Sequence, residues 1–360
     1  MDGLQIDTFV FAPLAPILGL LLFWFIQLLF IENQRYMLSK IWHKHEPLCR
    51  FTNFLGILYQ TICHALGYTV TRSGISDFVI SVDYGKVAPK KEKKGVFEWV
   101  SNAFLFIGPF FIPSLLLLIY FILLIDSSAF SFPTGHYDSF SSGLQNFGTN
   151  LYSFSEKLFV FLSNIDFFNP LHFGFFILLI IVGLGIRPSY IGETKKEKID
   201  MVYDLKNVKN LLADKPLYLL FLFVIAYIVF YISFFLEHGW YVALFSFLGW
   251  LSIIAIVSII ITQAIILFIK NTDELPRPWS FLPYIVIPLS YVIMRFALFF
   301  YPVDFSNSIS LIVMILSTIL ITFLLLKYKT NKFKTKKNIK KAEEEDDKEE
   351  KRKRRRSTKE

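Results

Sequence analysis

YVALFSFLGWLSIIAIVSIIITQAIILFI, residues 241–269, carries no charged side chain. A helix needs about 20 apolar residues to cross the hydrocarbon of a bilayer. This stretch is long enough to do so. Hydrocarbon offers the backbone no hydrogen-bond partner, so a spanning run must bond internally as a helix. Comparable runs recur at about 9–31, 103–125, 170–186, 216–236, 280–301 and 307–326. Inside these runs Arg295 is the only charged residue. The composition agrees: 54% of residues are hydrophobic and 41 of 360 are Phe, with a positive mean hydropathy. The expected fold class is all-α, a polytopic transmembrane helix bundle, and the expected location is an integral, multi-pass membrane protein.

The first run does not read as a cleaved signal peptide. Met1 to Thr8 carries Asp2 and Asp7 and no basic leader, and the apolar run is too long. The 170–186 run is short. It is bounded by Asn169-Pro170 and Arg187-Pro188, a helix start and a helix stop.

Charge gives an orientation. Lys and Arg collect in residues 69–100, in 187–215, in 270–279 and in the tail. Residues 127–165 hold one Lys against Asp138 and Glu156 and are rich in Ser and Phe. The short loops at 237–240 and 302–306 carry Glu237 and Asp304 without Lys or Arg. The positive-inside rule puts the basic loops and the C-terminus in the cytoplasm, and 127–165 outside as an external loop. That loop contains His136, Tyr137 and Asp138 and no Asn-x-Ser/Thr acceptor.

The tail is distinct. Residues 327–360 carry 16 Lys or Arg against 8 Asp or Glu, a net +8 that equals the charge of the whole chain. Almost no apolar residue follows Phe333, so the tail cannot bury a core and is expected to be disordered. Its basic blocks, Lys327 to Lys341 and Lys351 to Arg356, suit anionic lipid head groups. No aromatic residue interleaves with Lys351 to Arg356, so there is no stacking platform for nucleic acid. Cys49 and Cys63 are the only cysteines and make no disulfide framework.

Within residues 51–68 one apolar stretch is polar on one side: Gln60-Thr61-Ile62-Cys63-His64-Ala65-Leu66. Residues four apart share a helix face, which puts Gln60 beside His64. Polar groups in a membrane are costly and usually face the bundle or a water cavity. A structural role, hydrogen bonding to neighbouring helices, accounts for Gln60, Thr61 and His64 without any chemistry. His43 and His45 could in principle join His64 and Cys49 around a metal, but their irregular spacing fits surface histidines better.

The same stretch resembles the zinc motif His-Glu-x-x-His-Ala-Leu of site-2-type intramembrane metalloproteases, peptidase family M50. Gln60 stands at the first His and Thr61 at the catalytic Glu. Beyond it, Phe78-Val79-Ile80-Ser81-Val82-Asp83-Tyr84-Gly85-Lys86-Val87 alternates like a strand with a turn. M50 proteins similarly place a small cytoplasmic hairpin, often with Gly-x-Val, after the motif helix. The next run opens Asn102-Ala103-Phe104-Leu105-Phe106-Ile107-Gly108-Pro109. It is similar to the family's span marked by Gly-Pro and a nearby Asn, in a different order. Pro109 and Pro113 are expected to kink it. Gly185-Ile186-Arg187-Pro188-Ser189 resembles a later Pro-Ser, with Asp200 and Asp204 downstream.

The resemblance implies an M50-like core at 51–215 with a hairpin at 78–87. It is preceded by a first transmembrane helix and interfacial segment at 1–50 and followed by further helices at 216–326. It favours eight spans, because the motif helix must cross; charge in 33–50 favours seven. Gln is a poor zinc ligand and Thr cannot act as a base at neutral pH. The expected protein is therefore a non-catalytic M50-like one that binds membrane segments or partners. No cofactor is expected, with His64 the residue to hold zinc if any is retained. The alternatives are an active zinc protease with an unusual ligand set, and a transporter or channel lined by 51–68. Thr262, Gln263, Ser290 and Arg295 read as packing or snorkelling groups. Arg295 is expected to reach the interface or Asp304.

Overall fold

The computed structural model describes residues 6–82, 84–125, 137–186, 201–300 and 303–329. The tail from 330, the Arg187-Pro188-Ser189 match, Asp200 and His136 lie outside them.

Helices dominate. Helix α1 (Leu14–Ile41) is 28 residues long, roughly 42 Å at 1.5 Å per residue. It does not stop where the apolar run ends at residue 31. It continues through Glu32-Asn33-Gln34-Arg35, and Gln34, Arg35, Leu38 and Ile41 are buried. The 33–50 segment is thus divided between the end of α1 and the start of α2 (Glu46–Val70).

A two-stranded antiparallel sheet follows, β1 (Ile75–Ile80) and β2 (Gly85–Pro89). Phe78 pairs with Val87 and Ile80 with Gly85. Ser81 N donates to Tyr84 O at 2.8 Å across the turn.

Helices α3 (Val96–Phe106) and α4 (Gly108–Leu124) meet at a 65° bend. The bend falls at Gly108-Pro109. Pro109 has no N–H for the carbonyl one turn earlier, and its ring crowds that turn. Pro113 lies inside α4, which continues past it.

Residues 140–163 of the segment read as an external loop form a helix, α5 (Phe140–Ser163). Ser139 and Ser142 cap it reciprocally: Ser142 N donates to Ser139 Oγ and Ser139 N to Ser142 Oγ. Gly143, Phe147, Leu151, Phe154 and Leu158 are buried on one face. That three-to-four spacing is present in the sequence but diluted by Ser and Asn. Helix α6 (Pro170–Gly185) starts as expected, with Asn169 Oδ1 accepting from Leu171 N at 3.0 Å.

Helices α7 (Met201–Ala213), α8 (Pro216–Phe235) and α9 (Trp240–Thr272) complete the first compact unit, which ends near Ile266. Its core is aromatic. Phe110, Phe121, Phe147, Phe154, Phe175 and Trp250 are buried together, and Phe154 stacks on Trp250 at 5.1 Å. Such pairs add about 0.5–1.5 kcal/mol beyond area burial. The hydroxyls of Tyr231, Tyr227 and Tyr241 donate to the carbonyls of Phe9, Val10 and Pro13, each at 2.7 Å. They fix the chain ahead of α1.

The second unit, from Leu267, holds α10 (Leu282–Phe300) and α11 (Ser306–Lys329). Thr272 Oγ1 and the Tyr284 hydroxyl lie 2.8 Å apart. Arg295 Nη1 donates to Ser306 Oγ at 3.0 Å, so the side chain reaches the start of α11.

Among the described residues five helices are long and apolar enough to cross a membrane: α1, α8, α9, Trp279–Phe300 and α11. The bent pair α3–α4 makes a sixth if it is one span, and α6 is apolar but shorter. The chain is an integral, multi-pass helical membrane protein.

Candidate functional site

The motif residues lie on α2, which packs against α3, α4, α6 and both strands. Thr61 is buried, and its hydroxyl donates to Ile57 O at 2.6 Å. His64 lies one turn before Tyr68, and their rings are 4.4 Å apart. The His64 Nε2 atom is buried without a hydrogen-bond partner among the described residues. Cys63 is buried.

The hairpin lies lengthwise on this helix. At its turn, Asn53 Nδ2 donates to Val82 O at 2.9 Å. A Cβ added at Gly85 would lie 2.1 Å from Thr61 Oγ1 and 2.9 Å from Ile57 Cγ2. Only a residue without a side chain lets the strand backbone approach this closely. The structure therefore brings Asn53, Ile57 and Thr61 under the hairpin.

These residues do not fit a zinc ion. Zinc sites take imidazole, thiolate or carboxylate donors, three or four together. Gln60 supplies a neutral amide, Thr61 uses its proton on its own helix, and only His64 is a strong donor. Among the described residues no three His, Cys, Asp or Glu side chains come together. His43, His45, Cys49 and His64 are not gathered.

A second polar region was not apparent from the sequence. It sits where α1 continues past residue 31. Gln34 Nε2 donates to Gly183 O at 3.0 Å, and Thr262 Oγ1 donates to Gln34 Oε1 at 3.2 Å. Asn33 Nδ2 donates to Gln263 Oε1 at 3.1 Å, and Gln263 Nε2 to Phe30 O at 2.6 Å. Three side-chain amides, a hydroxyl and two backbone carbonyls thus join α1, α6 and α9. Thr262 and Gln263 are inter-helix partners, not snorkelling groups.

At the next residue of α1, Arg35 Nη2 bonds Asp204 Oδ2 at 3.1 Å and Arg35 Nη1 bonds Glu32 Oε2 at 3.2 Å. Glu32 Oε2 also accepts from Met201 N at 3.0 Å. Arg35 is 8% exposed and Asp204 1%. Asp204, a downstream acid without an assigned role in the sequence, is the buried counter-ion that docks α7 on α1. The legible signal was Glu-Asn-Gln-Arg in unbroken helical register with an apolar run. Its partners on other helices are 149 to 230 residues away in the chain, which the sequence does not reveal.

The amide junction gives a prediction. Gln34→Leu removes the bonds to the Gly183 carbonyl and the Thr262 hydroxyl, the latter keeping its bonds to Ser258 O and Ile259 O, and should cost about 1–3 kcal/mol. Thermal unfolding in detergent, compared with Gln145→Leu as a control at an exposed position of α5, measures it.

No protein-family model matches the chain, and neither curated proteins nor solved structures give a match.

Proposed function

We propose that the protein is a non-catalytic relative of the M50 intramembrane metalloproteases that binds membrane segments or membrane partners through the α2 face. The observation that supports this reading most is the order of parts around α2. A polar helix face is followed by a hairpin laid along it, then by a helix pair bent at Gly-Pro. Each part is common; the order is that of the resemblance. Gln60 and Thr61 replace the ligand and the base, so binding without cleavage is the function that this chemistry supports.

On this reading α2 crosses the membrane. With α1, the bent pair, α6, α8, α9, α10 and α11 it makes eight spans. The basic loops and the C-terminus are cytoplasmic by charge. The basic blocks of the tail, Lys327 to Lys341 and Lys351 to Arg356, meet anionic head groups.

Two measurements test the reading. Purified protein should carry no stoichiometric zinc and should keep its thermal stability in chelator. A photocrosslinker at Gln60 should capture an intact transmembrane segment. The same crosslinker at Leu123, which is 78% exposed, should capture lipid. One zinc per chain that disappears with His64→Ala would restore the alternative of an active protease. Solute flux in proteoliposomes that is lost in Gln60→Leu would favour a transporter.

A further inference from the structure

The end of α2 gathers cations. The helix closes with Ser73 N donating to Tyr68 O at 2.9 Å and Arg72 N to Thr69 O at 3.0 Å. The returning strand adds Lys90 N to Gly74 O at 3.1 Å and Lys91 N to Ser73 O at 3.0 Å. These bonds place Arg72, Lys90 and Lys91 around one helix terminus, with Lys94 three residues on. All four side chains are exposed. Lys93 is engaged separately. Its Nζ donates to Thr71 O at 2.5 Å and lies 4.6 Å from the Phe97 ring centre.

Arg72 holds a positive φ of 54°. Helices commonly close with glycine in this conformation, because a side chain meets a steric cost there. This chain keeps an arginine where glycine would be easier. That points to a use for the side chain.

The cations are ringed by exposed apolar groups. Val70 is 61% exposed, Phe97 52%, Val96 49% and Ile75 40%. Ile62, Leu66 and Val70 continue this apolar surface along α2 at four-residue spacing and are all exposed. Apolar and aromatic side chains beside Lys and Arg are the composition of a membrane–water boundary. A soluble acidic protein would match the charge but not the apolar rim.

We infer that Arg72, Lys90, Lys91 and Lys94, with Val70, Ile75, Val96 and Phe97, form an interfacial patch that binds anionic lipid head groups. The patch is separate from the basic tail. It holds the end of α2 and the base of the hairpin at the bilayer surface. It does not depend on kinship with any protease.

The test uses the full chain in liposomes. Cys49 and Cys63 are 0% and 1% exposed, so a fluorophore on Val96→Cys reports the patch. Quenching by spin-labelled phosphatidylglycerol is compared with quenching by spin-labelled phosphatidylcholine at equal content. The anionic lipid should be preferred by about tenfold, given the attraction each cation contributes near a charged surface. The preference should collapse towards unity in R72Q/K90Q/K91Q/K94Q and fall with added salt. The same ratio with Tyr152→Cys, on α5, should be near unity and unaffected by those substitutions. A ratio near unity at Val96→Cys in the otherwise unaltered chain overturns the proposal. So does quenching by aqueous iodide but by neither lipid. A preference that emerges only when the acidic run 343–350 is neutralised would make that run the occupant and also overturn it.

Discussion

Arg35→Ala should cost about 3–5 kcal/mol and lower the detergent unfolding temperature by many degrees. The reason is not the strength of the ion pair. A buried pair often contributes little net stability, because taking both ions out of water cancels much of their attraction. Removing one partner is different, since it leaves the other buried and uncompensated. Asp204 is 1% exposed, and its carboxylate would lose the guanidinium it bonds at 3.1 Å. Glu32, on the same arginine, would lose its partner as well. Asp204→Asn should cost less, because the amide still accepts a hydrogen bond and carries no charge. Arg35→Leu with Asp204→Leu should approach the stability of the unaltered protein. Unfolding curves for Arg35→Leu, Asp204→Leu and the double variant form a cycle. If the costs of Arg35→Leu and Asp204→Leu simply add, the two residues do not act as a pair and the packing of α7 on α1 has another basis.

Gly183→Ala should be at least as damaging, through sterics alone. A Cβ at that position would lie 2.3 Å from Ser258 O and 2.6 Å from Ser258 C. Both atoms are backbone, so no rotamer change relieves the contact. Helices α6 and α9 must separate, and the Gln34–Gly183 and Thr262–Gln34 bonds at the same crossing loosen with them. Overpacking of this kind typically costs about 1–3 kcal/mol, with the stretched bonds added. Gly183→Leu should leave no folded protein. Small residues at membrane helix crossings serve this close approach. Gly148 is the control. It also lies within a helix, α5, but a Cβ there meets nothing within 4 Å. Gly148→Ala should therefore stabilise by about 0.5–1 kcal/mol through helix propensity. Size-exclusion profiles and unfolding midpoints of the three variants check this. Equal effects at positions 183 and 148 would mean that the α6–α9 approach is not set by Gly183.

The contrast between these glycines shows the limit of the sequence. In residues 140–163 and 170–186 both look alike, a small residue in a run that can form a helix. What separates them is a carbonyl 75 residues away, brought close only by the packing of α6 on α9. The same applies to Gln34. Its place beyond an apolar run suggested an interface, since no local feature indicates that Thr262 and Gly183 will meet it. Asp204 sat between Lys-rich residues and a moderately polar helix. Its pairing with Arg35 depends on α1 extending that far.

Local physics was legible. The apolar runs had to be helices because hydrocarbon gives the backbone no other partner, and they are. Alternation and a turn in residues 78–87 predicted the hairpin, and strands at Ile75–Ile80 and Gly85–Pro89 form it. Gly108-Pro109 predicted a break, and the chain bends there by 65°. Each of these signals is complete within about one helical turn or one strand pair.

By itself, then, the sequence determined that the chain is a multi-pass helical membrane protein with a hairpin after a polar helix. Covalent geometry and the lack of water in the bilayer leave few alternatives over such short stretches. Only the tertiary structure decided which polar residues are joined. It placed the hairpin on Thr61, set the Asn33–Gln34 amides against α6 and α9, and buried Arg35 with Asp204. Those pairings depend on side-chain fit between segments distant in the chain, and sequence periodicity carries no record of that fit.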